Sequence, residues 1–114
     1  KYQPGDDEFD LPDGYLDVAK SKNYGDYAKD GEDLRICFLT NNDITGGNSG
    51  SPVINGNGEL IGLAFDGNWE AMSGDIAFEP ELQRTISVDI RYVLWCIDKL
   101  AGAKHIVDEM TLAR

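Results

Sequence analysis

The sequence predicts a mainly β fold followed by C-terminal helices, and three observations carry that prediction. Short apolar and β-branched runs recur between residues 34 and 88. Two of them are joined through Gly56-Asn57-Gly58, a hairpin connection whose glycines tolerate the positive φ of a tight turn. From Asp89 onward the apolar positions change to helical spacing. With 114 residues the chain has room for one small domain that buries a modest fraction of its surface.

The elements follow in order. Residues 1–33 hold ten acids and four lysines with scattered apolar positions, and read as a polar lead-in from an upstream part of a longer protein. Within it, Gly14 to Ala28 can form a short helix around Leu16 and Ala19, interrupted near Gly25; disorder of the whole lead-in is the alternative. Residues 34–114 form the second region. Leu34 to Thr40 reads as a buried strand, Asn41 to Ser51 as a loop, and Pro52 to Asn55 and Glu59 to Phe65 as the two hairpin strands. A looser segment runs from Gly67 to Gln83, and Thr85 to Val88 is a further strand. Asp89 is placed to cap a helix whose Val93, Leu94, Ile97 and Leu100 share one face, ending near Gly102. A second short helix is expected around Ile106, Val107 and Met110, so that the terminal helices occupy about residues 89–112.

Composition narrows the function classes. A formal net charge of -11 argues against nucleic acid, whose phosphates are bound through Lys and Arg, and is compatible with a ligand carrying a positive end. No stretch approaches the length of an apolar membrane span and no signal peptide is present, which for part of a longer chain says nothing about export. Cys37 and Cys96 lie in the apolar runs Ile36-Cys37-Phe38-Leu39 and Leu94-Trp95-Cys96-Ile97, where a free thiol behaves as a small buried hydrophobe; a disulfide between them stays open. No Cys/His cluster suggests a metal site, and no cofactor is expected.

The octapeptide Gly46-Gly47-Asn48-Ser49-Gly50-Ser51-Pro52-Val53 carries the chemistry. It resembles the nucleophile loop of serine peptidases with a chymotrypsin-like double β-barrel. Its glycines let the backbone turn sharply and approach a substrate carbonyl. In that arrangement Ser49 is the nucleophile and the N–H groups of Gly47 and Ser49 form the oxyanion hole. Ser51 is the alternative nucleophile, though Ser49 has the freer backbone, and a plain Gly-Ser turn between strands is the structural alternative. The nucleophile elbow of α/β-hydrolases fits poorly: Ser51 stands where its last glycine belongs, Pro52 opens a strand instead of a helix, and His105 follows too soon. In chymotrypsin-like peptidases the base and its Asp precede the serine, yet no histidine precedes Ser49. The chain therefore reads as the final piece of a larger enzyme, holding the nucleophile without its base.

Longer stretches extend the resemblance. Residues Asn42 to Pro52, Leu60 to Asp75 and Gln83 to Leu94 resemble the C-terminal end of bacterial S46 dipeptidyl peptidases, the family that includes dipeptidyl peptidases 7 and 11. The likeness runs from about Leu34 to the end and more weakly upstream. It implies an exopeptidase, periplasmic or at the cell surface, that releases dipeptides from free peptide N-termini. It further implies a double barrel with a helical domain, a homodimer, and a triad His and Asp in the missing N-terminal part. Ser49 then corresponds to the nucleophile, and Asp66 to a carboxylate that binds the substrate's α-ammonium. The local alternative for Asp66 is a hairpin-end Asp held by backbone N–H groups. Gly67 corresponds to the S1 position that separates the subtypes. The resemblance implies that arginine there pairs with an acidic P1 residue, whereas glycine, as in the type 7 enzymes, leaves room for a large apolar one. The alternative reading of Gly67 is a turn glycine needing φ > 0.

Around that site, Phe65 and Trp69 are core or cleft-wall aromatics, Arg84 and Arg91 make structural salt bridges, and His105 sits on a surface helix. Two other readings stay open beside the apolar-P1 exopeptidase: an acidic-P1 dipeptidyl peptidase, and a glutamyl-specific endopeptidase with the same Gly-Asn-Ser-Gly-Ser-Pro. By itself the isolated chain is expected to be a non-catalytic domain, inactive without its base and exposing apolar strands where its other barrel belongs.

Overall fold

A computed structural model describes residues 1–29, 31–73 and 79–113. Residues 74–78 of the expected looser segment, including Gly74 and Asp75 of the quoted motif, lie outside the described residues. Four strands form one antiparallel sheet: β1 (Cys37–Thr40), β2 (Pro52–Ile54), β3 (Leu60–Gly67) and β4 (Thr85–Asp89). Their order across the sheet is β1-β4-β3-β2, so the hairpin β2–β3 joins edge to centre and β4 inserts between β1 and β3. The helices are α1 (Tyr15–Ser21), α2 (Ile90–Trp95) and α3 (Lys104–Asp108). Among the described residues the strands form a single open sheet of four, flanked by helices; a barrel needs further strands. Among the described residues no helix is long and apolar enough to cross a membrane.

The hairpin turns where Gly58 adopts φ 79, and Asn55 ties its base by accepting the N–H groups of Asn57 and Glu59 at 2.9 and 3.0 Å. The first strand is shorter than its apolar run: residues 37–40 pair in register with β4, and beyond them Ile36 only accepts the Asp89 N–H at 2.7 Å. Along β4 the side chains alternate in burial, with Thr85, Ser87 and Asp89 buried on one face. The opposite face is open. Cys37, Val88, Leu63 and Pro52 stand in register across all four strands there, and Leu39 beside them is 62% exposed. Cys37 is therefore exposed in this chain and not buried as its apolar neighbours suggest; both cysteines are free. Burial raises the Cys96 thiol above its ordinary value.

Asp89 caps α2 as expected. Its carboxylate accepts the Arg91 N–H at 2.9 Å and two guanidinium hydrogen bonds at 2.9 and 2.7 Å. Burial alone would raise its pKa, but the three bonds from Arg91 prevail and hold it below the usual value. The helix continues through a wider π-helical turn, Cys96–Leu100, and ends where Gly102 takes φ 63. Arg84 departs from expectation: it donates to the carbonyl oxygens of Pro80 and Gln83 and makes no ion pair among the described residues.

The core lies on the helical side, where Tyr27, Leu94, Trp95 and Val107 are buried together. Residues of the polar N-terminal segment complete it. Tyr15 meets Trp95 edge-on at 5.9 Å and shares a 2.9 Å hydroxyl bond with Tyr92, while Asn23 accepts the Trp95 indole N–H at 3.0 Å. Tyr27 donates to Asp98 at 2.8 Å, and burial, that bond and the nearby carboxylates push its phenol up to about 12. The folded chain thus holds this proton where the unfolded chain releases it, near its ordinary value of 10. The resulting stabilisation is complete below that pH and is lost as pH rises through the folded value. Tyr27→Phe is expected to be less stable than the native protein at neutral pH and to lose less stability between pH 10 and 12, as read by urea denaturation across that interval.

Candidate active site

The loop before β2 is built by its own sequence. Gly47 and Gly50 adopt φ 94 and 86, left-handed conformations that side chains resist. Asn48 folds the loop on itself, its Oδ1 accepting the Thr45 N–H at 2.8 Å and the Thr45 hydroxyl at 3.2 Å. Two backbone bonds pin the loop to β3: Gly50 N–H to the Ala64 carbonyl at 2.7 Å and Ala64 N–H to the Ser51 carbonyl at 2.9 Å. Ser49 is left exposed between them, its hydroxyl making only a long 3.5 Å approach to the Phe65 carbonyl. Among the described residues the N–H groups of Gly47 and Ser49 have no hydrogen-bond partner, so both are available as donors.

Strand β3 reaches the same cleft through a bulge. Ala64 pairs with Ser87 and Asp66 with Ile86, so Phe65 is the extra residue. The bulge moves Gly67, in place of Asp66, opposite Thr85. It also brings the Phe65 carbonyl toward Ser49 and turns Asp66 to the open, apolar face of the sheet. One oxygen of Asp66 accepts the Gly67 N–H at 2.8 Å, so the local reading of this carboxylate holds for that oxygen. Its second oxygen makes no hydrogen bond to a described residue and remains a free acceptor.

Ser49, Asp66 and Gly67 line one cleft of about 230 Å³, together with Phe65, Ile44 and Ala71. Gly47 lies outside its lining, in the loop beside it. Among the described residues that line the cleft there is no Lys, Arg or His. Of the expected aromatics, Phe65 is a wall of the cleft, whereas Trp69 is 81% exposed and belongs to neither core nor cleft here. His105 is exposed on α3, as expected. Among the described residues no cluster of His, Cys, Asp and Glu has the makings of a metal site.

Gly67 is glycine for another reason than the positive φ of a turn. It is a strand residue paired with Thr85 and is not among the positive-φ glycines. The space for its side chain is already taken by Ala71 and Ile44. These two wall residues escaped sequence reasoning. Ala71 follows in a 3-10 turn, Trp69–Ser73, whose fold-back onto the strand leaves no periodic signal.

Comparison with known proteins gives a consistent picture. The sequence profile of the Peptidase S46 family matches residues 1–112. The chain is 66% identical over 112 residues to dipeptidyl-peptidase 7 of Capnocytophaga gingivalis. It is 50% identical over 112 residues to an Asp/Glu-specific dipeptidyl-peptidase of Flavobacterium psychrophilum. Each match covers 98% of this chain and 16% of the relative, so the chain spans about a sixth of the length of these proteins. Among solved structures, Porphyromonas endodontalis DPP11 in complex with the dipeptide Arg-Glu superposes with a TM-score of 0.87 at 45% identity, covering 96% of this chain and 16% of that one.

Proposed function

This chain belongs to the peptidase S46 family, and we propose that it is the nucleophile-bearing portion of a serine dipeptidyl peptidase with preference for large apolar P1 residues. The observation that carries the reading is the convergence of Ser49, Asp66 and Gly67 on one cleft. Each supplies a different part of the reaction. Ser49 attacks the carbonyl that follows the second substrate residue, and a His from the remainder of the protein, oriented by its Asp, takes the hydroxyl proton. The N–H groups of Gly47 and Ser49 hold the oxyanion as the tetrahedral intermediate forms. The free oxygen of Asp66 receives the substrate's α-ammonium, so the distance from carboxylate to nucleophile counts two residues from the N-terminus. Gly67, with Phe65, Ile44 and Ala71, forms an uncharged wall for P1.

The apolar preference is supported by the absence of a cationic side chain among the described residues of the lining and by the higher identity to type 7 relatives than to Asp/Glu-specific ones. Burying a Leu or Phe side chain there is worth roughly 1.5–3 kcal/mol, enough to rank substrates. The cleft is smaller than the roughly 300–1,000 Å³ of complete ligand pockets, which agrees with further walls supplied by the rest of the protein. The open apolar face of the sheet is the surface on which that remainder packs, completing the double barrel. The reading extends, as in the family the motifs resemble, to a homodimer working in the periplasm or at the cell surface.

The test compares dipeptidyl reporters with Leu, Phe, Asp or Glu at P1, each with a free or an acetylated amine, on the full-length protein. Cleavage of free-amine Leu and Phe reporters is expected. Preference for Asp or Glu would overturn the assignment of Gly67, and equal cleavage of acetylated reporters would make the enzyme an endopeptidase.

A further inference from the structure

A Cβ placed on Gly67 would stand 2.7 Å from the Cβ of Ala71 and 3.3 Å from Cγ2 of Ile44. Carbon atoms in packed interiors meet at about 3.5–4.0 Å, so the first of these contacts requires something to move. Ile44 can yield by a change of side-chain torsion, but the methyl of Ala71 goes only where its backbone goes. That backbone is clamped. The Ala71 N–H is held on Asn68, facing its carbonyl oxygen at 2.9 Å and its Oδ1 at 3.1 Å. Asn68 is in turn tied to the segment entering β4. Its Oδ1 also accepts the Arg84 N–H at 3.0 Å, its Nδ2 donates to the Leu82 carbonyl at 2.8 Å, and its N–H donates to the Arg84 carbonyl at 3.0 Å.

We propose that Ala71 is a specificity-determining residue of this cleft: held by Asn68, its methyl group keeps residue 67 without a side chain and thereby sets the depth of the pocket beside Ser49. The inference rests on the reading of the cleft as the P1 site. It makes positions 67 and 71 one unit. A side chain enters at 67 only when the methyl at 71 is removed, and the size of the P1 residue accepted depends on both.

The experiment is a double-mutant cycle in the full-length protein with Gly67→Ala, Ala71→Gly and the two combined. Free-amine reporters with Ala, Leu or Phe at P1 give kcat/KM, and thermal unfolding is recorded for all four proteins. Gly67→Ala alone is expected to lose about 10-fold to 100-fold on every reporter as the crowded wall shifts. Ala71→Gly is expected to raise the Phe-to-Leu ratio, a change that a merely structural role leaves untouched. The double variant is expected to return to within about twofold of Ala71→Gly. Additive losses in the double variant, or wild-type selectivity in Ala71→Gly, would overturn the proposal. Should the native protein cleave none of these reporters, the P1 reading fails instead. The coupling of 67 and 71 is then decided by thermal unfolding: a double variant no more stable than Gly67→Ala sinks it.

Discussion

Replacing Ser49 by alanine in the full-length protein is expected to lower kcat by about a millionfold while leaving the fold and substrate binding intact. The size of the effect follows from the chemistry. Without the hydroxyl there is no acyl-enzyme, and what remains is only the stabilisation given by the oxyanion donors and by substrate positioning. The retained fold follows from how the loop is fixed. The bonds that hold it run through Gly50, Ser51, Ala64 and the Asn48 side chain, none through the Ser49 hydroxyl except the long 3.5 Å approach to Phe65. Turnover of a free-amine Leu reporter, with circular dichroism of the same sample, makes the measurement. A fluorophosphonate probe adds a direct assignment, because the labelled peptide identifies the reactive hydroxyl. Label and activity that survive Ser49→Ala but vanish in Ser51→Ala would transfer the nucleophile to Ser51, two residues along the same loop.

Elements with local causes were legible in the sequence. The β2–β3 hairpin follows from Gly56-Asn57-Gly58, the start of α2 from Asp89, and the end of its π-helical continuation from Gly102. Gly47 and Gly50 likewise announce a backbone that only glycine adopts readily, and the exposed Ser49 between them is the product of that geometry. What escaped depends on contacts between distant residues. Tyr27 lies in an acidic stretch without periodicity, yet packs with Trp95 and Val107 because the chain returns to it some seventy residues later. The bulge at Phe65 is decided by the register of β3 against β4, which no local pattern of Leu60–Gly67 encodes. Turn chemistry offers a positive φ as the local reason for glycine at 67, and no local pattern reveals that Ala71 folds back onto it. Cys37 and Leu39 read as buried because a strand rich in apolar residues normally has two covered faces; here one face of the sheet is open.

Asp66→Asn is expected to reduce kcat/KM for free-amine dipeptidyl reporters by about 100-fold to 1,000-fold, the effect of losing one partner of a desolvated charge pair. Asparagine keeps the shape of the side chain and can still accept the Gly67 N–H through its carbonyl oxygen, so the local turn survives. What it cannot offer is a negative charge to an ammonium group. Two signatures separate that loss from general damage to the cleft. Selectivity for free over acetylated amines should collapse in the variant, because the acetylated substrate never used the charge. The pH profile should change as well. A free peptide amine has a pKa of about 7.7–8.0, so the native enzyme should lose kcat/KM as pH rises beyond that value and the free substrate loses its charge, whereas the variant should show little of that alkaline limb. A variant that retains both its preference for free amines and its alkaline limb would remove Asp66 from amine recognition and leave it as the turn residue its bond to Gly67 already makes it.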